Sequence, residues 1–118
     1  MEYLLMVYAD HSQLEKLSQS QASEALAAYG AYTGALQKAG LLRGSNRLRP
    51  VHTATTVRVK SGKTEVLNGP YAETREQLGG YFLVDVPDLD TALTWAARCP
   101  GASHGIVEVR PVWPREEY

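Results

Sequence analysis

Three histidines, a lone cysteine and a tyrosine-rich central segment are the groups in this chain that could do chemistry near neutral pH. His11 follows an apolar run, His52 precedes a strand-like stretch that starts at Thr53, and His104 precedes the final strand-like stretch. No two of them stand at metal-ligand spacing and none has a cysteine or histidine neighbour, so no metal site is expected. His52 and His104 lie near strand ends, where a general base could meet a ligand, and are the two catalytic candidates. Their plainer alternative is a surface or capping role. Cys99 is the only cysteine, which excludes an internal disulfide and a thiolate cluster. A buried, inert thiol is its expected state.

The central segment runs from Leu67 to Tyr81 and joins a tight turn, a short charged run and a double glycine. Asn68, Gly69 and Pro70 have turn chemistry. Tyr71 and Tyr81 bracket the segment and either line a pocket with their hydroxyls or pack as ordinary aromatics. Glu73, Arg75 and Glu76 read as a solvated face, yet such a segment beside a turn is where binding groups sit. Glu108 and Arg110 fall on one face of the last strand, so Arg110 either pairs with Glu108 or anchors a ligand carboxylate. The candidate ligand-binding set is Asn68, Tyr71, Glu73, Tyr81 and Arg110. No phosphate-binding loop, dinucleotide fingerprint, nucleophile elbow or zinc signature occurs, and no cofactor is expected. Gly79-Gly80 leads into a strand and suggests close backbone packing.

These groups need a scaffold, and 118 residues suffice for one domain spanning 1–118. The 12 basic and 13 acidic residues give a net charge of -1, without the basic surplus of a nucleic-acid binder. The N-terminal apolar run lacks a basic start and a cleavage site, and no run reaches membrane-spanning length. A cytoplasmic protein without membrane or nucleic-acid partners is expected.

Tyr3–Tyr8 is apolar throughout and reads as a strand buried on both faces. A helix is expected from Ser20 to Ala39, capped by Ser18 or Ser20, with Ala22, Leu26, Tyr29, Thr33 and Leu36 inward and Gly40 ending it. Gly30 and Gly34 suggest close packing of that helix on a sheet. Leu41–Leu48 is a weak strand interrupted at Gly44-Ser45-Asn46. Thr53–Lys60 and Thr64–Leu67 form a hairpin through Ser61-Gly62. Glu73–Gln77 suggests a helical turn, and Gly80–Val86 a strand. Asp88 caps a helix with Leu89, Ala92, Leu93 and Ala96 inward, and Gly105–Val112 is the last strand. Tyr3–Asp10 echoes Tyr81–Asp88, which supports two βαβ halves in a ferredoxin-like α+β sandwich with an antiparallel sheet and two main helices. Two helices cover only one face of such a sheet, so a second copy of the chain is expected on the other, giving a homodimer.

The stretch Asn68-Gly-Pro-Tyr-Ala-Glu-Thr-Arg-Glu-Gln-Leu-Gly-Gly-Tyr81 resembles the YCII-related proteins, in particular the branch named for its Asp-Gly-Pro-Phe motif. Tyr3–Tyr8, Thr53–Lys60, Asp88–Pro100 and Val107–Val112 extend the likeness over nearly the whole chain. The resemblance implies a fold of the dimeric α/β-barrel type in a bacterial protein whose branch has no defined activity. Wider relatives act on lactones as dehalogenases or are cofactor-free monooxygenases. Asn68 stands where the motif has Asp and Tyr71 where it has Phe. Because Asn cannot transfer a proton as a carboxyl group does, a turn role at that position is favoured. The expected function is binding of a small carboxylated or lactone-like molecule, with His52 or His104 as base in an enzymatic version. The alternative is a regulatory module that contacts an extracytoplasmic-function sigma factor through Glu73–Gln77.

Overall fold

A computed structural model describes residues 1–118. Strand β1 (Glu2–Ala9) leads through a short helix α1 (His11–Leu14) into the long helix α2 (Gln19–Lys38) and strand β2 (Leu42–Arg47). Strands β3 (Thr55–Lys60) and β4 (Lys63–Asn68) follow, then β5 (Gln77–Asp85), helix α3 (Leu89–Arg98) and β6 (Ile106–Pro111). Four strands form an antiparallel sheet in the order β2-β5-β1-β6, and β3-β4 is a separate two-stranded ribbon. β1 and β2 run parallel with β5 between them, and β5 and β6 run parallel with β1 between them. Each βαβ unit is therefore split by a strand of the other, which is the expected ferredoxin-like α+β arrangement.

The core lies on one face of the sheet. Tyr3, Leu5 and Val7 of β1 and Phe82, Val84 and Val86 in and after β5 are buried against Tyr32 and Leu36 of α2 and Ala92 and Ala96 of α3. Two alanines on α3 let that helix approach closely. Tyr32 meets Phe82 edge to face at 5.1 Å, and its hydroxyl donates to the Trp95 carbonyl at 2.8 Å. A buried tyrosine needs such a partner for its hydroxyl. Cys99 is buried beside this core, and burial raises its thiol pKa.

Leu4, Met6, Tyr8, Tyr81 and Leu83 point to the other face and are only partly buried. The expectation that Tyr3–Tyr8 is buried on both faces is therefore not met within one chain, because no helix crosses the second face. The inward stripe of α2 is also shorter than its sequence suggests. Ala22 and Leu26 face solvent, and only the second half of the helix lies on the sheet. Leu89 and Leu93 of α3 are likewise exposed. A side chain at Gly30 or Gly34 would meet nothing within 4 Å, so these glycines do not serve close packing.

Local signals set the element ends. Ser18 caps α2 in a reciprocal box with Gln21, and Gly40 (φ 73°) follows its last turn. Asp88 caps α3 by accepting from the Thr91 amide at 2.8 Å. Ser61 and Gly62 both have positive φ, the conformation of a two-residue hairpin turn whose twist matches the strands. β2 is continuous through Gly44-Ser45-Asn46, with a register shift between Leu42 and Gly44 in place of the expected break. Glu73–Gln77 forms no helical turn: it is a bent loop whose last residue already pairs in β5. No helix is long and apolar enough to cross a membrane.

Leu36 is fully buried and Leu26 is 66% exposed on the same helix. Leu36→Ala is expected to cost about 2–5 kcal/mol in urea unfolding, and Leu26→Ala less than about 0.5 kcal/mol.

Candidate functional site

One end of the sheet gathers four strand termini. β1 ends with Ala9 beside Gln77, the first residue of β5, and Tyr8 faces Ile106, the first residue of β6. β2 ends at Arg47 beside Gly80. The turn after β1, the loop before β5 and the turn before β6 meet there, so residues remote in sequence become neighbours.

The double glycine shapes this end. The β1–β5 register passes from Val7↔Gly80 to Tyr8↔Leu78, leaving Gly79 as the extra residue of a β-bulge. A Cβ at Gly80 would lie 2.8 Å from the Asn46 carbonyl oxygen, so the close strand approach expected of Gly79-Gly80 is present. A Cβ at Gly79 would lie 3.2 Å from His11 Nε2. The imidazole of His11 thus rests on bare backbone. Its Nδ1 is shielded from solvent and has no hydrogen-bond partner, alone among the side-chain nitrogens and oxygens of the chain.

Asp10 holds the His11 backbone in place. One carboxylate oxygen accepts from the Ser12 hydroxyl at 2.6 Å and the Ser12 amide at 3.0 Å, capping α1. The other faces Arg75 Nε at 3.6 Å. The Ser12 hydroxyl is the main reason the Asp10 carboxyl titrates below its usual range, and Arg75 adds to it. The ion pair ties the loop before β5 to the end of β1. Arg75 is 81% exposed, which leaves most of its guanidinium facing water.

The residues singled out from sequence are dispersed. His104 ends the turn before β6 and is exposed at this same sheet end. His52 is exposed in a single 3-10 turn (Val51–Thr53) between β2 and the ribbon. Tyr81 stands on the open sheet face and accepts from Asn46 Nδ2 at 2.8 Å. Met6 and Glu108 continue that row across the sheet. Arg110 lies opposite Leu4 on the same face and makes no ion pair with Glu108. Asn68 ends β4. The adjoining Gly69 amide donates to Ala54 at 2.7 Å and its carbonyl accepts from Thr56 Oγ1 at 2.8 Å, closing the ribbon at its base. Tyr71 is exposed along a shallow groove of about 150 Å³ that it shares with Thr56, Arg58, Glu65 and Leu67. Glu73 is exposed and unpaired. The structure does not bring Tyr71 and Tyr81 together.

His11, Asp10 and Arg75 form the cluster that sequence reading passed over. One signal for it existed. Asp10 occupies in the first half the place that Asp88 occupies in the second, and a capping Asp after a strand fixes the residue that follows it. The contact with Gly79 had no such signal, because it depends on the bulge.

No group of three His, Cys, Asp or Glu residues could hold a metal ion. Compared with known proteins, residues 1–116 match the profile of the YCII-related domain. An uncharacterized protein from Rhizobium meliloti (strain 1021) is 37% identical over 114 residues, covering 95% of this chain and 92% of its own length.

Two outcomes follow from the cluster's geometry. Ser12→Ala is expected to raise the Asp10 carboxyl pKa toward the usual value near about 4 in a carbon-detected NMR titration. In the wild type the low folded pKa stabilises the protein above the unfolded value, and that contribution is lost as pH falls through the folded one. Gly79→Ala is expected to displace the His11 ring by a few tenths of an ångström, read as shifts of its imidazole resonances with the remainder of the spectrum unchanged.

Proposed function

We propose, from the premise that this chain belongs to the YCII-related family, that it binds a small carboxylated or lactone-like molecule at the His11 end of the sheet and acts on it without a cofactor. The observation behind this reading is the shielded, unpartnered Nδ1 of His11 set against the bare backbone of Gly79. A polar atom that gives up water without gaining a partner costs about 1–3 kcal/mol, and such an exception calls for a reason, a catalytic role among them. An imidazole ring nitrogen without a hydrogen-bond partner is also the type of group that serves as a general base.

In this reading His11 is the base, a role for which His52 and His104 lack any enclosing contact. Arg75 supplies a cation for a carboxylate or a polarised carbonyl oxygen. Asp10 limits where that cation can go and so positions it. Asn68-Gly69-Pro70-Tyr71 supports membership of the branch named for Asp-Gly-Pro-Phe, with the motif serving as the turn at the base of the ribbon and not as a proton donor.

The test is a thermal-shift panel of small lactones and carboxylic acids on the wild type and on His11→Gln. A ligand at about 100 times its Kd should add roughly 2.7 kcal/mol to the wild type, a rise of several degrees in Tm, and much less to the variant. A panel that shifts neither protein, or shifts both equally, rules the His11 site out.

A further inference from the structure

Arg47 closes β2 at the same sheet end, on the face that the helices cover. It pairs with Gly80, which in turn pairs with Val7 of the core. Strand alternation puts these residues on the side of Phe82, opposite to Asn46 and Tyr81. Gly80 adds no side chain, so the row is bare between Arg47 and Val7. Tyr29 of α2 comes down beside that bare position. Its ring stacks parallel to that of Phe82, the next residue of β5 on this face, with centroids 6.4 Å apart. A Cβ at Gly101 would lie 2.5 Å from the Tyr29 hydroxyl oxygen and 2.6 Å from Val7 Cγ1, so the hydroxyl, Val7 and Gly101 meet there.

We infer that Arg47 and the Tyr29 hydroxyl hold the carboxylate of the ligand, which makes that ligand a small carboxylic acid and not a neutral lactone. Arg47 is a cation without an anion. The ion pairs of the chain join Met1 and Arg43 to Asp85 and Arg75 to Asp10, and Arg47 takes part in none. Its side chain stands exposed at the sheet rim, open to a ligand. The Tyr29 hydroxyl is free to take a better partner. Its polar neighbours are the Cys99 thiol and the Gly101 amide. Sulfur is a weak acceptor, and a carboxylate oxygen displaces it readily. Burial, and then Cys99, push the Tyr29 pKa up to about 12, so the group stays a protonated donor at neutral pH. Arg47 acts in the opposite direction and is the one cation that does so. A guanidinium fork beside a phenol O–H suits the two oxygens of a carboxylate.

The place of Arg47 relative to His11 fits this role. The Leu48 amide, one residue past Arg47, donates to the Gly79 carbonyl at 2.9 Å, and Gly79 is the residue on which His11 rests. Arg47 and His11 thus approach adjacent residues of one strand, whose Cα atoms are about 3.8 Å apart. A molecule held by its carboxylate at Arg47 needs only a few bonds to bring a carbon atom to His11. Arg75, tied to Asp10, is left for a carbonyl oxygen. The reach to His11 rests on the reading of His11 as the base, whereas the carboxylate contact at Arg47 stands on its own geometry.

The test is an NMR titration of the nitrogen-labelled full chain with benzoate and with its neutral counterpart benzamide, read at backbone amides and arginine Nε. Benzoate should shift Gly80, Gly101 and Arg47, and benzamide should bind at least about tenfold more weakly, the order expected of a charge-assisted pair. Arg47→Gln should weaken benzoate at least about tenfold and leave benzamide unchanged, and Tyr29→Phe should weaken benzoate several-fold. Arg49→Gln removes the same charge two residues on and should bind benzoate like the wild type. Benzoate carries no group for His11 to act on, so His11→Gln should also keep it. Equal binding of the two probes, no benzoate shift at Gly80 and Gly101, or equal losses in the Arg47 and Arg49 variants overturns the assignment. Loss of benzoate in His11→Gln with Arg47→Gln still binding overturns it too, since the carboxylate then sits at His11. A failed thermal-shift panel beside a successful titration removes the base role and leaves the carboxylate site standing.

Discussion

The structure depends on a one-sided core. The two central strands, β1 and β5, present Tyr3, Leu5, Val7, Phe82 and Val84 to one side, and the two helices close over them with Tyr32, Leu36, Ala92 and Ala96. Burying these side chains is the main driving force available to a chain of this size, and it must outweigh the conformational entropy of every residue it orders. A core with few fully buried side chains leaves little surplus. Its quality therefore rests on close fit: alanines under α3, and the ring of Phe82 stacked near Tyr29 and met edge-on by Tyr32.

That core determines what happens at its margins. Because β1 and β5 must keep their large side chains on the helix side, a one-residue slip would turn each strand inside out. The bulge at Gly79 absorbs an extra residue without that cost. It puts bare backbone where His11 arrives after β1. The same end receives Arg75 from the loop before β5, and Asp10 joins the two through a cap and an ion pair. The polar cluster is thus a by-product of register: its members come from two segments that the central strand pair forces together.

The other margin is the ribbon. Its insertion between β2 and β5 adds residues that the core does not use, and its valines find no cover in the subunit. The open sheet face shares this condition. The open sheet face follows from having two helices, both on one side, for a sheet with two faces, and the ribbon's valines from its lying outside that sheet.

Much of the scaffold was legible in the sequence, because periodicity and caps are local. The apolar runs of β1 and β5, the Ser18 and Asp88 caps, the Ser61-Gly62 turn and the repeat of Tyr3–Asp10 in Tyr81–Asp88 each carry their own signal, and together they imply the split βαβ order. Where local reading failed, distance was the reason. Leu26 has the right spacing for a buried stripe, but how far α2 overhangs the sheet is decided by the sheet. Glu73–Gln77 has helical composition, but Gln77 is claimed by pairing with Ala9. His11 looked like the least informative of three histidines, since its distinguishing neighbour, Gly79, lies far along the chain. By itself the sequence determined most of the elements, their order and the family, through signals carried within a few residues. Only the tertiary structure decided which histidine is shielded and which apolar faces stay open, because burial is a property of what the rest of the chain brings near.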